Sequence, residues 1–156
     1  MASNASCIFC KIVKGEIPSL KVFETAKTLA FMDIGPTSPG HALIIPKYHG
    51  AKLHDIPDEY LAEILPITKR IAIALNLNHD QGAEKGDGYN ILQNNGRIAH
   101  QEVDHVHFHI IPKYEKNPEL GLGVGWPQSA EGKEKVKEIH AKLVEAIKPL
   151  GLDKKI

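Results

Sequence analysis

A chain of 156 residues is long enough to bury a real core and too short for two domains of typical size. Its 19 basic and 19 acidic side chains cancel to a formal net charge of zero, and no block of like charges stands out. That balance argues against a nucleic-acid partner, which needs clustered cations, and no stretch is apolar for long enough to cross a bilayer.

The opening Met1-Ala2-Ser3-Asn4-Ala5-Ser6 has neither a basic region nor a long apolar run, so we expect a soluble, cytoplasmic protein with the nucleus as a second compartment. Residues 7–13 read as a short helix or turn, and Ser19 to Glu24 and Thr28 to Ile34 as strands, the second ended by Gly35-Pro36. Ala42 to Pro46 is a third strand, with Leu43, Ile44 and Ile45 in a row. Pro57-Asp58-Glu59 opens a helix whose apolar residues recur at helical spacing from Leu61 to Leu75, and Pro66 inside it predicts a kink or a restart just upstream. His79 to Gly88 reads as a mobile loop. Tyr89 to Gln93 and Val103 to Pro112 are the fourth and fifth strands, an antiparallel pair whose link carries the turn glycine Gly96. Lys113 to Gln128 is irregular, and Glu131 to Lys148 forms an amphipathic helix with Val136, Ile139, His140, Leu143, Val144 and Ile147 on one stripe. The class is α+β: a five-stranded, mainly antiparallel sheet with a central helix and a C-terminal helix, in one domain over 1–156 with 129–156 as a helical extension.

The segment Asp104-His105-Val106-His107-Phe108-His109-Ile110-Ile111 repeats histidine at every second residue. Read as a strand, it places His105, His107 and His109 on one face and Val106, Phe108 and Ile110 on the other. The outer pair would then lie ~13 Å apart along the strand, too far for all three rings to share one zinc ion without strain. The central His107 is the better nucleophile, because an imidazole held by one nitrogen can attack phosphorus with the other.

His-x-His-x-His followed by two apolar residues resembles the signature of the histidine triad (HIT) superfamily. The runs Phe31-Met32-Asp33-Ile34-Gly35-Pro36, His41 to His49, Gln93-Asn94-Asn95-Gly96, Cys7 to Ile12 and Gly125-Trp126-Pro127 are similar to its Hint branch, and to the fungal adenosine 5'-monophosphoramidases within it. The resemblance covers roughly Cys7 to Pro127. It implies a homodimer that binds a purine nucleotide and hydrolyses AMP–amine bonds, with no organic cofactor. In that scheme His107 attacks the α-phosphorus to form a nucleotidyl-histidine, and water releases AMP. His109 binds the phosphoryl oxygens or relays the proton to the leaving amine, and His105 fixes the orientation of the strand. The alternatives are a dinucleoside polyphosphate hydrolase of the same superfamily and a nucleotide-binding scaffold with incidental turnover.

The resemblance also assigns a nucleotide site residue by residue. Asp33 accepts hydrogen bonds from the ribose hydroxyls, Ile8, Phe9, Ile12, Phe31 and Ile34 wall the purine, and Asn94, Gln101 and the Val103 backbone cradle the phosphate; hydrophobicity alone would equally make the wall residues ordinary core. Glu102 departs from the serine of many animal relatives, and it is open between acid, selector of substrate charge and solvent-facing residue. Cys7, Cys10, His49 and His100 offer the two thiolates and two imidazoles of a closed, structural zinc site, the alternative being reduced cysteines beside unrelated histidines. Trp126 either helps choose the leaving amine across a dimer or packs on its own C-terminal helix. His41, His54, His79 and His140 read as surface or helix residues.

Overall fold

The structure is a computed structural model that describes residues 2–77, 86–125 and 127–150. The sequence-predicted loop from His79 lies outside the described residues as far as 85, and Trp126 lies outside them too. The chain up to Gly123 forms one compact unit and the remainder from Val124 a second.

In the first unit a short helix α1 (Ile8–Val13) precedes strands β1 (Lys21–Glu24), β2 (Thr28–Met32) and β3 (Ala42–Pro46). Helices α2 (Asp58–Leu61) and α3 (Ile64–Ala74) follow, then β4 (Gly88–Gln93) and β5 (Phe108–Lys113). The sheet order is β1-β2-β3-β5-β4, and every pairing is antiparallel. Among the described residues no helix is long and apolar enough to cross a membrane.

The unbroken apolar run of β3 has a direct cause in the layers around it. Ala42 and Ile44 pack with Ala30 and Ile110 against Ile64, Ile67 and Ile71 of α3. Leu43 and Ile45 turn the other way, with Leu29 and Phe31, toward Phe9 of α1. A strand covered on both faces has no position for a polar residue. Ile44, Ile64 and Ile110 are almost completely removed from water, each contributing about 1.5–3 kcal/mol of apolar transfer free energy.

The expected single helix after Pro57 is two, interrupted at Ala62-Glu63, so Pro66 lies in the first turn of α3, where a backbone N–H has no helical partner to lose. Glu63 at this break accepts hydrogen bonds from Thr25 Oγ1 (2.6 Å) and Thr28 Oγ1 (3.1 Å), which ties the β1–β2 turn to the start of the helix.

A larger difference concerns the fifth strand. It begins at Phe108, not Val103. The chain turns at 103–105, where the His105 N–H reaches back to the Val103 carbonyl (2.9 Å), and Val106 N–H donates to the Gly50 carbonyl (2.8 Å). His105 and His107 therefore precede the ladder and only His109 belongs to it. Strand alternation still relates His107 to His109, whereas His105 escapes it.

The second unit contains α4 (Ala130–Ile147), capped by Ser129, whose Oγ accepts from Gly132 N–H (3.0 Å). Its apolar stripe, Val136, Ile139, Leu143, Val144 and Ile147, is exposed, and no residue of the helix is buried.

Candidate active site

One face of the sheet forms the floor of a cleft of about 560 Å³. The register dictates which side chains meet there. Leu43 pairs with Phe31 on one side and His109 on the other, and Leu92 pairs with His109. All four share a face with the residues two positions along, so His41, Asp33 and Ile111 join them as straight or diagonal neighbours. Each of these lines the cleft. Ile8, Phe9 and Ile12 of α1 and Val103 supply an apolar wall, and Ile34 stands at the lip, 98% exposed.

His41 is the main residue that the sequence reading misplaced. It was expected at the surface, yet it is 3% exposed and its Nε2 lies 2.9 Å from His109 Nδ1. The Thr37 backbone N–H donates to His41 Nδ1 (3.2 Å), so the proton of His41 resides on Nε2 and points at His109. His109 must then accept at Nδ1 and carry its own proton on Nε2, facing the cleft. Asp33 Oδ2 stands 3.5 Å from His41 Nε2 and 4.0 Å from His109 Nδ1, while Oδ1 accepts from Gly35 N–H (2.8 Å). Gly40 makes this hairpin end possible: its φ is +84°, and a Cβ there would meet Leu75 and Pro112 at 3.2 Å. The signal in the sequence was a histidine opening a strand that offers no solvent-facing position.

His107 is fixed by its other nitrogen. Its Nδ1–H donates to the His105 carbonyl (2.6 Å), and its ring meets the edge of Phe9 at 5.3 Å between centroids. Nε2 is left with a lone pair. Burial holds His107 below the ordinary imidazole range, against the pull of the His105 carbonyl, Asp33 and Glu102. Burial together with the charges of His107 and His41 lowers His109 to about 4. At neutral pH both rings are uncharged, and His107 Nε2 keeps its lone pair.

The link from Asn94 to His107 closes the site. Asn94 lines the cleft and its Nδ2 donates to the His100 carbonyl (3.2 Å). Gln101, expected to touch phosphate, does another job: it is 2% exposed, its Oε1 accepts from Gly96 N–H (2.6 Å), and its Nε2 donates to Ala51 O (2.6 Å) and Val103 O (3.0 Å). Its amide is consumed in clasping the loop. Gly96, with φ +90°, supplies the turn that this clasp requires.

Behind the cleft Cys7, Cys10 and His49 converge as expected, but the fourth member is His105, not His100. His100 is exposed, has a left-handed backbone (φ 62°, ψ 27°) and lines the cleft instead. His105 is fully buried, with its Nε2–H on the Pro46 carbonyl (2.8 Å), so its Nδ1 lone pair enters the cluster. His49 Nδ1 and His105 Nδ1 are 3.4 Å apart, Cys10 Sγ lies 3.4 Å from His49 Nδ1 and 3.7 Å from His105 Nδ1, and Cys7 Sγ lies 3.5 Å from His105 Nδ1. Burial lowers His105 to about 4 and raises the Cys7 thiol, so the imidazole is neutral and Cys7 is held as the thiol. Of the remaining histidines, His54 and His140 are exposed as expected and His79 lies outside the described residues.

A family model described as HIT domain matches residues 14–116. The chain is 58% identical over 154 residues to adenosine 5'-monophosphoramidase HNT1 of Candida albicans, covering 99% of each chain. It is 55% identical to the Schizosaccharomyces pombe protein named adenosine 5'-monophosphoramidase hnt1, over 92% of this chain and 99% of that one. Among solved structures, the histidine triad nucleotide-binding protein of Candida albicans superposes with a TM-score of 0.84 at 57% identity, covering 93% of this chain and 99% of the other. A HIT family protein of Bacillus subtilis superposes with a TM-score of 0.74 at 37% identity, covering 90% of this chain and 96% of that one.

Proposed function

The chain belongs to the HIT domain family, and from that premise we propose that it is an adenosine 5'-monophosphoramidase, which hydrolyses the phosphorus–nitrogen bond of AMP–amine conjugates to AMP and a free amine. The observation that carries the reading is the pair of opposed tautomers in the cleft: His107 with a free Nε2 lone pair, and His109 with an Nε2–H, their ring centroids 4.9 Å apart. The apolar wall takes the purine and the Asp33 carboxylate takes the ribose hydroxyls. In the first step His107 Nε2 bonds to phosphorus, the P–N bond breaks with its electron pair on nitrogen, and that nitrogen takes a proton through His109. In the second, water attacks phosphorus, returns a proton to His109, and the bond to His107 breaks. His41 is a positioning residue, because it fixes which nitrogen of His109 carries the proton.

Among the described residues no lysine or arginine lines the cleft. A dinucleoside polyphosphate would bring several negative charges into a site without a cation to meet them, which favours the monophosphoramidate over that alternative.

We further propose a structural zinc ion held by Cys7, Cys10, His49 and His105. The donor set is the one zinc prefers; four of its six donor–donor pairs lie 3.4–3.7 Å apart, and all the donor atoms are within 4.8 Å of one another. A tetrahedron with Zn–N near 2.0–2.1 Å and Zn–S near 2.3 Å has edges of about 3.3–3.8 Å. The ion would supply no chemistry to the substrate; it would stabilise both thiolates and pin α1 to the segment that carries His107. A homodimer fits as well: β4 is an outer strand of the sheet, and its Tyr89 and Ile91 are exposed.

The test is release of a fluorescent amine from an AMP-amide, run beside diadenosine tri- and tetraphosphate and repeated with His107→Ala. We expect rapid amide cleavage, slow dinucleotide turnover and a loss of at least ~10³-fold in the variant, with AMP binding retained. Faster cleavage of the dinucleotides, or an active variant, overturns the reading.

A further inference from the structure

The chemistry above uses Asp33, His41, His107 and His109, and leaves one charged side chain of the cleft without a task. Because Gln101 is turned inward and fully engaged, its neighbours His100 and Glu102 face outward, and both line the cleft while remaining exposed. Among the described residues the Glu102 side chain has no hydrogen bond and no salt bridge. It shares the cleft with His107. The cation nearest in the loop, Arg97, is spent on Asp104 (3.0 Å) and on the Gln101 carbonyl. The mouth of the cleft therefore carries an uncompensated carboxylate.

The other exposed residue of the mouth is held there against backbone preference. His100 adopts a left-handed conformation that costs a residue with a Cβ about 1–2 kcal/mol, and Asn94 secures it through the His100 carbonyl. Within the cleft, the apolar wall and Asp33 account for the nucleoside, and the imidazoles of His107 and His109 account for the phosphorus. The exposed mouth is what remains for the group that leaves.

We propose that Glu102 is the specificity-determining residue for the leaving group, selecting amines that carry a second, positive charge, with His100 as the other wall of that subsite. The inference rests on the phosphoramidase reading. Attraction at an exposed carboxylate acts on bound substrate and transition state alike, so it should lower KM and leave kcat nearly unchanged.

Three AMP-amides of matched length test this: one made from a diamine that leaves a terminal ammonium, one from a neutral alkylamine, and one from an amino acid that leaves a terminal carboxylate. With wild type, kcat/KM should fall in that order by about two- to fivefold per step, almost all of it in KM, and the steps should shrink in high salt. Glu102→Gln should compress the series, and Glu102→Lys should invert it. Equal values for the three amides with wild type, or steps that stay as large in Glu102→Gln, overturn the inference while leaving the phosphoramidase reading intact. If the neutral amide itself is not cleaved, that reading falls and this inference falls with it.

Discussion

His105 and His107 stand two residues apart, both are buried, and both donate a ring N–H to a backbone carbonyl, yet they do so through opposite nitrogens. His105 donates through Nε2 to Pro46, so its Nδ1 lone pair faces two cysteines and His49. His107 donates through Nδ1 to His105, so its Nε2 lone pair is free for the cleft. Both are histidines and both are buried; the tautomer decides which ring nitrogen keeps a lone pair and where it points, which is what the proposed ligand and nucleophile roles require. The two roles are also mechanically joined, since the carbonyl that orients His107 belongs to the residue anchored in the cysteine cluster.

The sharpest way to break that contrast is to truncate each histidine in turn. His107→Ala should lose at least ~10³-fold in amide cleavage, keep one equivalent of zinc, and change unfolding free energy by no more than about 1 kcal/mol. His105→Ala should lose the zinc and destabilise the fold by at least ~3 kcal/mol, because a closed metal site couples its binding energy to folding. Activity, metal content and denaturant unfolding on both variants would show it. An exchange of the two patterns would mean that the roles are reversed.

Much of this arrangement was legible in the sequence. The five strands, the restart before Pro66 and the convergence of Cys7, Cys10 and His49 follow from pattern and chemistry. What escaped depended on distant backbone. The turn at 103–105 breaks strand alternation and moves His105 to the cluster, and no local pattern announces it. His41 became part of the site only through the β2–β3 and β3–β5 registers, which set it diagonal to His109. Gln101 reads as a plausible phosphate contact until its three loop partners are known.

His41 extends the comparison from two histidines to a third, whose action is indirect. If it works by fixing the proton on His109, His41→Ala should lower kcat by ~100-fold with KM little changed, comparable to removing one oriented donor from an active site. His41→Gln, whose amide can still donate toward His109 Nδ1, should recover much of that loss. Steady-state kinetics of the two variants decide it, and equal losses in both would assign His41 to packing instead.

The smallest expected effect separates His100 from the cluster that the sequence reading gave it. A zinc ligand replaced by glycine would cost the ion and several kcal/mol. A residue at φ 62°, with its side chain at the cleft mouth, has the reverse expectation. Glycine relieves the left-handed strain, worth about 1–2 kcal/mol, and adds chain entropy to the unfolded state, worth about 0.5–1 kcal/mol. The balance is a gain of a few tenths to about 1 kcal/mol, with the zinc retained. Metal analysis and denaturant unfolding of His100→Gly, beside His100→Ala as the control that keeps a Cβ, measure it. Loss of metal in the glycine variant would return His100 to the cluster and remove His105 from it. Retained metal with raised stability would place the strain where the structure has it, in a residue held at the cleft mouth by the loop around it.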